Sequence, residues 1–246
     1  MRELFLTGAT GRLGRTVQRV FTDQWNIHPC SLSRGEDLTV QDPVDVTPGE
    51  TDFVLNCAAL SSRGGCISNP VTAFKLNTLW PQKLAIFCRE TNRRLLHMST
   101  DLVYAGGIPP YTETSPAVPR SLYGWTKLLG DIAVQKSNPN ACIVRTSILV
   151  GAAGAKMTTF SEDILSGSAT HFHVDCFRNH TDISALAQFL SECLYSSRSG
   201  LILAAAPYAM SRAAYAYSLL QRDINLIPAP GDIPHDLTLK PSEVIG

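Results

Sequence analysis

The feature that most constrains this chain is a glycine-marked turn between a strand pattern and a helix pattern. Residues 3–7 form a short apolar run, and apolar residues recur at helical spacing over 13–21. Gly8, Gly11 and Gly14 fall between these two periodicities. Glycine lacks a Cβ, which permits a sharp exit from the strand, close approach of a pyrophosphate and tight helix–sheet packing. The turn predicts a βαβ unit with an anion-binding helix N-terminus; the alternative is a tight turn without a ligand.

Composition narrows the class of protein further. In 246 residues, Lys plus Arg and Asp plus Glu both number 21, so no net field favours nucleic acid or an acidic membrane. The seven cysteines include no C-x-x-C pair, which fits reduced cytosolic thiols. There is no signal-peptide pattern and no apolar run of the ~20 residues that a membrane span needs. We expect a soluble, cytoplasmic protein without nucleic-acid or membrane partners.

Strand and helix patterns alternate along the first part of the chain. Further strands are predicted at 26–32, 52–56, 94–98 and 141–145, and helices at 70–91 and 121–136. This alternation predicts an α/β fold, a Rossmann-like doubly wound parallel sheet with a smaller C-terminal substrate lobe. We assign residues 1–150 to a dinucleotide-binding domain and 151–246 to the lobe. The lobe is expected to interleave with the sheet, because 201–205 reads as a strand that rejoins it.

The end of the second strand bears on the choice of cofactor. An acidic residue that binds a ribose 2′-hydroxyl is expected there, ~20 residues beyond the turn. The residues present are Ser31, Ser33 and Arg34. Hydroxyls and a guanidinium suit a 2′-phosphate, which a carboxylate would repel. We therefore favour NADP(H) over NAD(H), the alternative being that Arg34 is a solvated loop residue.

Three further positions are candidates for the site itself. Small residues at 57–61, including Ala58, Ala59 and Ser61, let the chain pass under a flat cofactor. Pro81 has no N–H and leaves the Asn77 carbonyl without its helical partner. We predict that this carbonyl accepts a water or a side-chain donor in the site. The alternative is a kink with Asn77 facing solvent.

Tyr123 and Lys127 are the candidate catalytic pair. Four residues apart, they share one face of the predicted helix. A nearby ammonium lowers the pKa of a phenol, so Tyr123 is expected to exchange a proton with a carbonyl or alcohol. Thr100, at the carboxyl end of a strand, would steady the same oxygen. The spacing Y-x-x-x-K alone is common, and it usually marks two exposed residues on one helix.

The order of these signals resembles the extended short-chain dehydrogenase/reductases, and among them the dTDP-4-dehydrorhamnose reductases. The matching stretches are Thr7-Gly-Ala-Thr-Gly-Arg-Leu-Gly14, Asn56-Cys-Ala-Ala59, Leu76-Asn77, His97-Met-Ser-Thr-Asp-Leu-Val-Tyr104, Pro110-Tyr-Thr-Glu113, Tyr123-Gly-Trp-Thr-Lys-Leu128 and Val144-Arg-Thr-Ser147. The resemblance is strong over 1–151 and looser over 174–206. It is specific for the superfamily and less so for the substrate.

The resemblance implies a set of roles. Thr100, Tyr123 and Lys127 would be catalytic, with Asn77 as a structural and proton-relay adjunct. The implied cofactor contacts are Gly8, Gly11, Arg12, Leu13, Gly14, Asp37, Leu38, Ala58, Ala59 and Ser61, beside Ser33, Arg34, Tyr123 and Lys127. Thr100, Asp101, Arg63 and Ile148 would meet or flank the substrate. In such reductases hydride passes from the nicotinamide to C4 of a nucleotide-linked 4-keto-6-deoxy sugar, and the tyrosine protonates the alkoxide.

Some positions depart from this pattern. The reductases usually have an aromatic residue at Leu102, tryptophan at Ile148 and proline at His180. Ile148-Leu149 also resembles the β-subunit of methionine adenosyltransferase, a relative that binds NADP as a regulatory partner. That role, and an NAD-dependent sugar-nucleotide epimerase or dehydratase, are the alternatives.

Two further features carry less weight. The residues His171, His173, Asp175, Cys176 and His180 match no established zinc spacing, so no metal is predicted. A helix pair is able to form a homodimer face, although no pattern identifies it.

Overall fold

The structure is a computed structural model that describes residues 1–21, 24–152 and 159–245. Its strands are β1 (Arg2–Thr7), β2 (Trp25–Cys30), β3 (Phe53–Asn56), β4 (Arg94–Thr100), β5 (Cys142–Thr146), β6 (Leu149–Val150), β7 (Phe172–His173), β8 (Phe177–Asn179), β9 (Thr181–Asp182), β10 (Gly200–Ala205), β11 (Ala209–Ser211), β12 (Leu226–Ile227) and β13 (Glu243–Val244). Its α-helices are α1 (Arg12–Val20), α2 (Pro43–Val46), α3 (Arg63–Ser68), α4 (Pro70–Phe74), α5 (Trp80–Glu90), α6 (Leu122–Ser137), α7 (Phe160–Leu165), α8 (Ile183–Tyr195) and α9 (Arg212–Leu220). None of these helices is long and apolar enough to cross a membrane.

A seven-stranded parallel sheet organises the fold, in the order β2-β1-β3-β4-β5-β10-β13. The chain adds β2 on one side of β1 and β3 on the other, so strand order reverses between β1 and β3. In open α/β sheets a crevice forms at such a point, outside the carboxyl ends of the strands. This topology confirms the predicted Rossmann-like α/β class.

Helices cover both faces of the sheet because side chains alternate along its strands. Leu4 and Leu6 of β1 pack in a cluster that contains Val17 of α1 and Leu190 of α8. Phe5, between them, belongs to the opposite cluster, with residues of α5 and α6. The sheet therefore has helices packed on both faces, which is the doubly wound arrangement.

The helical run predicted at 70–91 is present, but it is not uniform. α4 and α5 are joined by a π-helical segment, Lys75–Leu79, directly before Pro81. A proline cannot donate the next helical hydrogen bond, and a wider turn accommodates that loss. The second strand ends at Cys30 and not at Leu32, because Leu32–Arg34 form a 3₁₀ turn that ends at Gly35 with φ +96°.

The C-terminal part contributes to the sheet and also builds structure beyond it. β10 and β13 extend the sheet, and Asp182 caps α8 by accepting from two backbone N–H groups. The pairs β6–β9, β7–β12 and β8–β11 lie outside the main sheet. α7 and α9 pack around Ile164 and Phe172. The division at residue 150 stays a prediction.

Candidate active site

The glycine turn has the geometry of a backbone cradle. Gly8 has φ +68°, and a Cβ there would lie 2.6 Å from the Ala58 nitrogen. A Cβ on Gly14 would lie 2.3 Å from the Gly8 carbonyl oxygen, so only glycine lets α1 pack this closely. Gly11 lines the cleft above, with its nearest such neighbour at 3.2 Å. The turn therefore fits a pyrophosphate held against the backbone.

A cleft of about 550 Å³ opens above this turn at the switch point of the sheet. The predicted cofactor residues that line it are Gly8, Gly11, Arg12, Leu13, Gly14, Asp37, Leu38, Ala58, Ala59, Ser61, Tyr123 and Lys127. Ser31, whose hydroxyl was expected near a 2′-phosphate, also lines the cleft, as do Cys57 and Leu60 of the 57–61 loop. The lining residues that the sequence did not single out are Thr10, Leu32, Glu36, Thr39, Thr72, Leu76, Met98, Ser99, Thr146 and Leu149. Many of them adjoin a predicted contact in sequence, and that adjacency is the signal that could have found them.

The end of the cleft beside β2 differs from the prediction. Ser33 and Arg34 are exposed and are not among the lining residues. Both lie in the 3₁₀ turn Leu32–Arg34, and the Ser33 hydroxyl lies 3.3 Å from that of Thr10. Glu36 does line the cleft, and its carboxylate accepts the Ser31 backbone N–H at 3.0 Å. A carboxylate therefore stands where only hydroxyls and a guanidinium were expected.

Asp37 is held in place by its own loop. Its carboxylate accepts the backbone N–H of Thr39 at 3.0 Å and the hydroxyl of the same residue at 2.8 Å. These hydrogen bonds lower the pKa of Asp37, the backbone one most strongly. Asp37 and Leu38, which the resemblance implies as cofactor contacts, both lie in the cleft lining.

A second pocket of about 320 Å³ adjoins the cleft and shares Tyr123 with it. Thr100 and Ile148, both predicted to meet the substrate, line this pocket. Its other lining residues are Arg12, Ser61, Ser99, Leu102, Thr146, Ser147, Leu149, Phe160, Asp163, Arg178 and Arg212. Arg178 and Arg212 were not foreseen, because they lie in the C-terminal part, where the sequence patterns are weak. They bring two guanidinium groups to the pocket.

Tyr123 stands where the cleft and the second pocket meet. Burial raises the pKa of its phenol, the nearby Asp101 carboxylate adds to that rise, and a hydrogen bond with Thr100 opposes it. This direction is opposite to the one expected from a lysine ammonium one turn away. The phenol therefore carries its proton at neutral pH, as an unperturbed phenol also does, and the raised pKa makes it a weaker acid than a free tyrosine.

Lys127 is buried, and its amine is hydrogen-bonded to β4. Its Nζ donates to the Met98 carbonyl at 2.7 Å and lies 3.2 Å from Nε2 of His97. Burial lowers the pKa of Lys127 to about 8, while Asp131 and Cys57 oppose that shift. These contacts hold the amine against β4 in the lining of the cleft.

Asn77 contributes through its side chain and not through its carbonyl. The carboxamide accepts the Leu60 N–H at 2.9 Å and donates to the Leu60 carbonyl at 3.1 Å and to Thr126 at 3.0 Å. The carbonyl instead faces Gly130 of α6, where a Cβ would lie 2.2 Å away. Asn77 thus joins the small-residue loop of the cleft to the helix that carries Tyr123. It is fully buried, so the solvent-facing alternative was wrong.

Asp101 does not reach the pocket, contrary to its predicted role in meeting the substrate. It is fully buried, with its carboxylate 2.5 and 2.6 Å from two nitrogens of Arg178 and hydrogen-bonded to Ser147. A fork of this kind fixes the guanidinium in one orientation. Asp101 therefore positions Arg178, and it is Arg178 that lines the pocket.

Arg63 lies outside both linings. It begins α3 and pairs with Asp232 at 2.6 Å, and both side chains are largely exposed. The structure thus connects α3 with the C-terminal segment here and does not bring Arg63 to the second pocket.

Comparison with known proteins shows related sequences and folds. A dTDP-4-dehydrorhamnose reductase of Mycobacterium tuberculosis is 30% identical over 197 residues, which cover 78% of this chain and 64% of that protein. The chain thus spans under two thirds of that relative's length. Methionine adenosyltransferase 2 subunit beta of Xenopus laevis is 35% identical over 159 residues, 61% of this chain and 48% of that protein.

A solved dTDP-4-dehydrorhamnose reductase from Bacillus anthracis, in complex with NADP, has the same fold. The TM-score is 0.85 at 21% identity, covering 98% of this chain and 90% of that one. The family model for the RmlD substrate binding domain matches residues 1–224. The chain therefore belongs to the RmlD substrate-binding domain family.

Proposed function

We propose that this protein is an NADP(H)-dependent reductase of a nucleotide-linked 4-keto-6-deoxy sugar. The observation that carries the proposal is that Tyr123 belongs to both the cleft and the second pocket. A proton donor at that junction faces a cofactor on one side and a ketone on the other. The similarity to a dTDP-4-dehydrorhamnose reductase supports this choice of substrate class.

Each side chain of the site has a separate role in the proposed reaction. Bound NADPH would supply the hydride that reduces the ketone carbon. Tyr123 donates its phenolic proton to the oxygen as the alcohol forms. The Thr100 hydroxyl hydrogen-bonds the same oxygen. Lys127 lines the cleft, where it would lie beside the nicotinamide ribose of the bound cofactor.

The charge of the second pocket supports a phosphorylated substrate. Arg178 and Arg212 line it together, and guanidinium groups bind phosphate oxygens in pairs of hydrogen bonds. Arg178 is already oriented by Asp101. We assign these two arginines to the diphosphate of the sugar nucleotide.

The preference for NADP(H) is part of the proposal. Hydroxyls of Thr10, Ser31 and Ser33 are linked at 3.2–3.3 Å where the 2′-substituent would lie, and Arg34 follows in sequence. The Glu36 carboxylate at the same end opposes a 2′-phosphate. We expect NADPH to bind more tightly than NADH. The Glu36 carboxylate should reduce the difference between the two affinities, and calorimetry with each cofactor measures that difference.

The first test follows NADPH absorbance with a panel of 4-keto sugar nucleotides. We expect turnover by the wild type and a loss of about 10²- to 10⁴-fold in kcat for Tyr123→Phe. NADPH affinity should change little, because only a hydroxyl is removed. Tyr208→Phe, at a side chain that is 78% exposed, is the matched control and should keep full activity. Equal turnover by Tyr123→Phe and the wild type would exclude Tyr123 as the acid.

A second candidate is an NADP-binding regulatory subunit. It is favoured by the similarity to methionine adenosyltransferase 2 subunit beta, which is 35% identical over 159 residues. That reading predicts NADPH binding without reduction of any ketone in the panel. Stable, stoichiometric complex formation with a catalytic methionine adenosyltransferase subunit would then support it.

A further inference from the structure

The residues shared by the two pockets mark the place where cofactor and substrate would meet. The residues that line both pockets are Arg12, Ser61, Ser99, Tyr123, Thr146 and Leu149. Thr146 is the last residue of β5, where it pairs in register with Thr100 of β4. The proposed reaction assigns roles to Tyr123 and Thr100 and none to Thr146.

The Thr146 hydroxyl is buried and has no hydrogen-bond partner. Other buried side-chain atoms also lack a partner, but within residues 1–21, 24–152 and 159–245 none of them belongs to a residue that lines the cleft. An unpaired buried hydroxyl is costly, so native structures contain few of them. A ligand group in the cleft would supply the missing partner.

Buried polar groups close to Thr146 in the cleft lining already have partners in the protein. The hydroxyl of Ser99 donates to Asp131 at 2.8 Å. The amine of Lys127 donates to the Met98 carbonyl at 2.7 Å. Thr146 is therefore the buried hydroxyl of the described cleft lining that a ligand can bond without competing with another group of the protein.

The position of Thr146 along the cleft indicates which part of a dinucleotide lies beside it. The glycine turn after β1 fits the pyrophosphate, and Asp37 and Leu38 line the end of the cleft beside β2. β4 and β5 lie on the other side of β1, beyond β3. With the adenosine half at the β2 end, where the proposed function places the 2′-phosphate, the nicotinamide half lies over β4 and β5, beside Thr146.

The nicotinamide ring carries one hydrogen-bonding substituent, a carboxamide with an acceptor oxygen and a donor NH₂ group. A hydroxyl both donates and accepts, so it can pair with either of them. We propose that Thr146 is a cofactor-binding residue whose hydroxyl hydrogen-bonds the carboxamide of the bound nicotinamide. This inference rests on the proposed function for the identity of the cofactor, and not on the reduction of a ketone. Such a bond limits rotation of the ring about its link to the ribose, which orients the ring for hydride transfer.

Rotation about a single bond brings the hydroxyl to the ligand. In the free protein the Thr146 oxygen is covered by its surroundings. Its hydroxyl and methyl groups are attached to the same Cβ, so a change between staggered rotamers exchanges their positions. No hydrogen bond to a described residue holds the hydroxyl, so the rotation breaks none. The methyl group then takes the covered position, which suits an apolar group.

The first test compares two ligands on one substitution. Thr146→Val replaces the hydroxyl with a methyl group of similar shape. NADPH and adenosine 2′,5′-bisphosphate, which has no nicotinamide, are each titrated into the full chain by calorimetry. We expect the Kd for NADPH to rise about three- to tenfold and the Kd for the bisphosphate to stay the same. An unchanged NADPH affinity, or an equal loss for both ligands, would overturn the proposal.

Thr47→Val is the matched control. The Thr47 hydroxyl is also buried without a partner, but Thr47 lines neither of the two pockets, so both affinities should stay unchanged. Urea denaturation of the ligand-free proteins adds a second measurement. Neither substitution removes a hydrogen bond, so both variants should be at least as stable as the wild type. A loss of stability confined to Thr146→Val would show that its hydroxyl has a partner in the free protein, and would contradict the proposal.

The outcomes distinguish this inference from the proposed function. If the two ligands differ as expected and no ketone is reduced, the proposed function fails and the role of Thr146 stands. If a ketone is reduced and the two ligands do not differ, only the role of Thr146 is wrong. If NADPH does not bind, both are wrong. Should Thr146→Val fail to fold, Thr146→Ala removes the same hydroxyl and is titrated with the same two ligands.

Discussion

At the scale of single residues, burial decides what each predicted side chain does. The pKa of Tyr123 is raised, chiefly by burial, although a lysine lies one helical turn away. Asp101, in a matching motif position, is withdrawn from the pocket because Arg178 binds both of its oxygens. Arg34 is exposed and outside the cleft lining. Residue type and spacing located these positions, whereas contacts from distant parts of the chain set their roles.

Glu36 offers a residue-scale test of cofactor choice. Replacing it with glutamine removes a carboxylate from the end of the cleft where a 2′-phosphate would lie. We expect Glu36→Gln to raise the ratio of NADPH to NADH affinity by about tenfold, since like charges at short range repel. Isothermal titration with each cofactor measures the ratio. Glu90→Gln, at an exposed glutamate that ends α5, is the control and should leave it unchanged.

The Asp101–Arg178 pair is a residue-scale test of stability. Asp101→Asn leaves a guanidinium without its counter-charge at a buried position. We expect the free energy of unfolding to fall by about 3 kcal/mol, measured by urea denaturation. Adding Arg178→Met removes the stranded charge and should recover part of the loss. If the single variant is as stable as the wild type, the pair does not hold this part of the fold.

At the scale of elements, sequence periodicity located most helices and strands of the sheet, with ends displaced by one or two residues. Local patterns sufficed because the apolar residues of these elements recur at the period of a helix or a strand, and some helices also begin at a capping side chain, as α6 does at Ser121. The π-helical turn before Pro81 was outside their reach. Pro81 marks its place in the sequence, but its close packing against α6 requires Gly130, more than fifty positions later along the chain, and no local window contains both.

The contact between α6 and the π-helical turn can be tested at Gly130. A Cβ there would lie 2.2 Å from the Asn77 carbonyl oxygen, a backbone atom that cannot move aside alone. We expect Gly130→Ala to lower the free energy of unfolding by about 1–3 kcal/mol through overpacking. Displacement of Asn77 from Leu60 should also weaken NADPH binding.

Gly64→Ala is the matched control for this substitution. Gly64 lies in α3, and a Cβ there would meet nothing within 4 Å. Alanine is the better helix former, so this variant should be as stable as the wild type or slightly more stable. Equal effects at the two glycines in thermal and urea unfolding would show that the close approach at Gly130 is unimportant.

At the scale of the whole molecule, the two pockets have different origins. The residues that line the cleft all lie between positions 8 and 149. The lining of the second pocket also includes residues of the C-terminal part, namely Phe160, Asp163, Arg178 and Arg212. The cleft was predictable because its glycines and small residues act through local backbone geometry. The second pocket depends on side chains brought together over more than a hundred positions. The second pocket is therefore where we expect relatives of one fold to differ in substrate.

Acid stability is a property of the whole molecule that follows from its buried histidines. Burial lowers the pKa of His97 well below its usual value and that of His180 to about 4. The unfolded chain binds protons on both near pH 6.5, so between that pH and about 4 it carries more protons than the folded protein. Their contribution to stability is therefore complete above pH 6.5 and is lost as the pH falls. As the pH falls through this window, each histidine should lower the free energy of unfolding by about 1.4 kcal/mol for every pH unit.

His180→Phe separates this effect from the titration of carboxylates. The His180 ring stacks on Tyr215 with 4.2 Å between centroids, and phenylalanine retains a ring there without a titrating group. Urea denaturation between pH 6.5 and 5 avoids the range in which Glu3 and Asp37, whose pKa values are lowered, take up protons. We expect the slope of stability against pH to be shallower in the variant by the contribution of one histidine. Identical slopes would mean that His180 is protonated as readily in the folded protein as in the unfolded chain, and that burial does not exclude its charge.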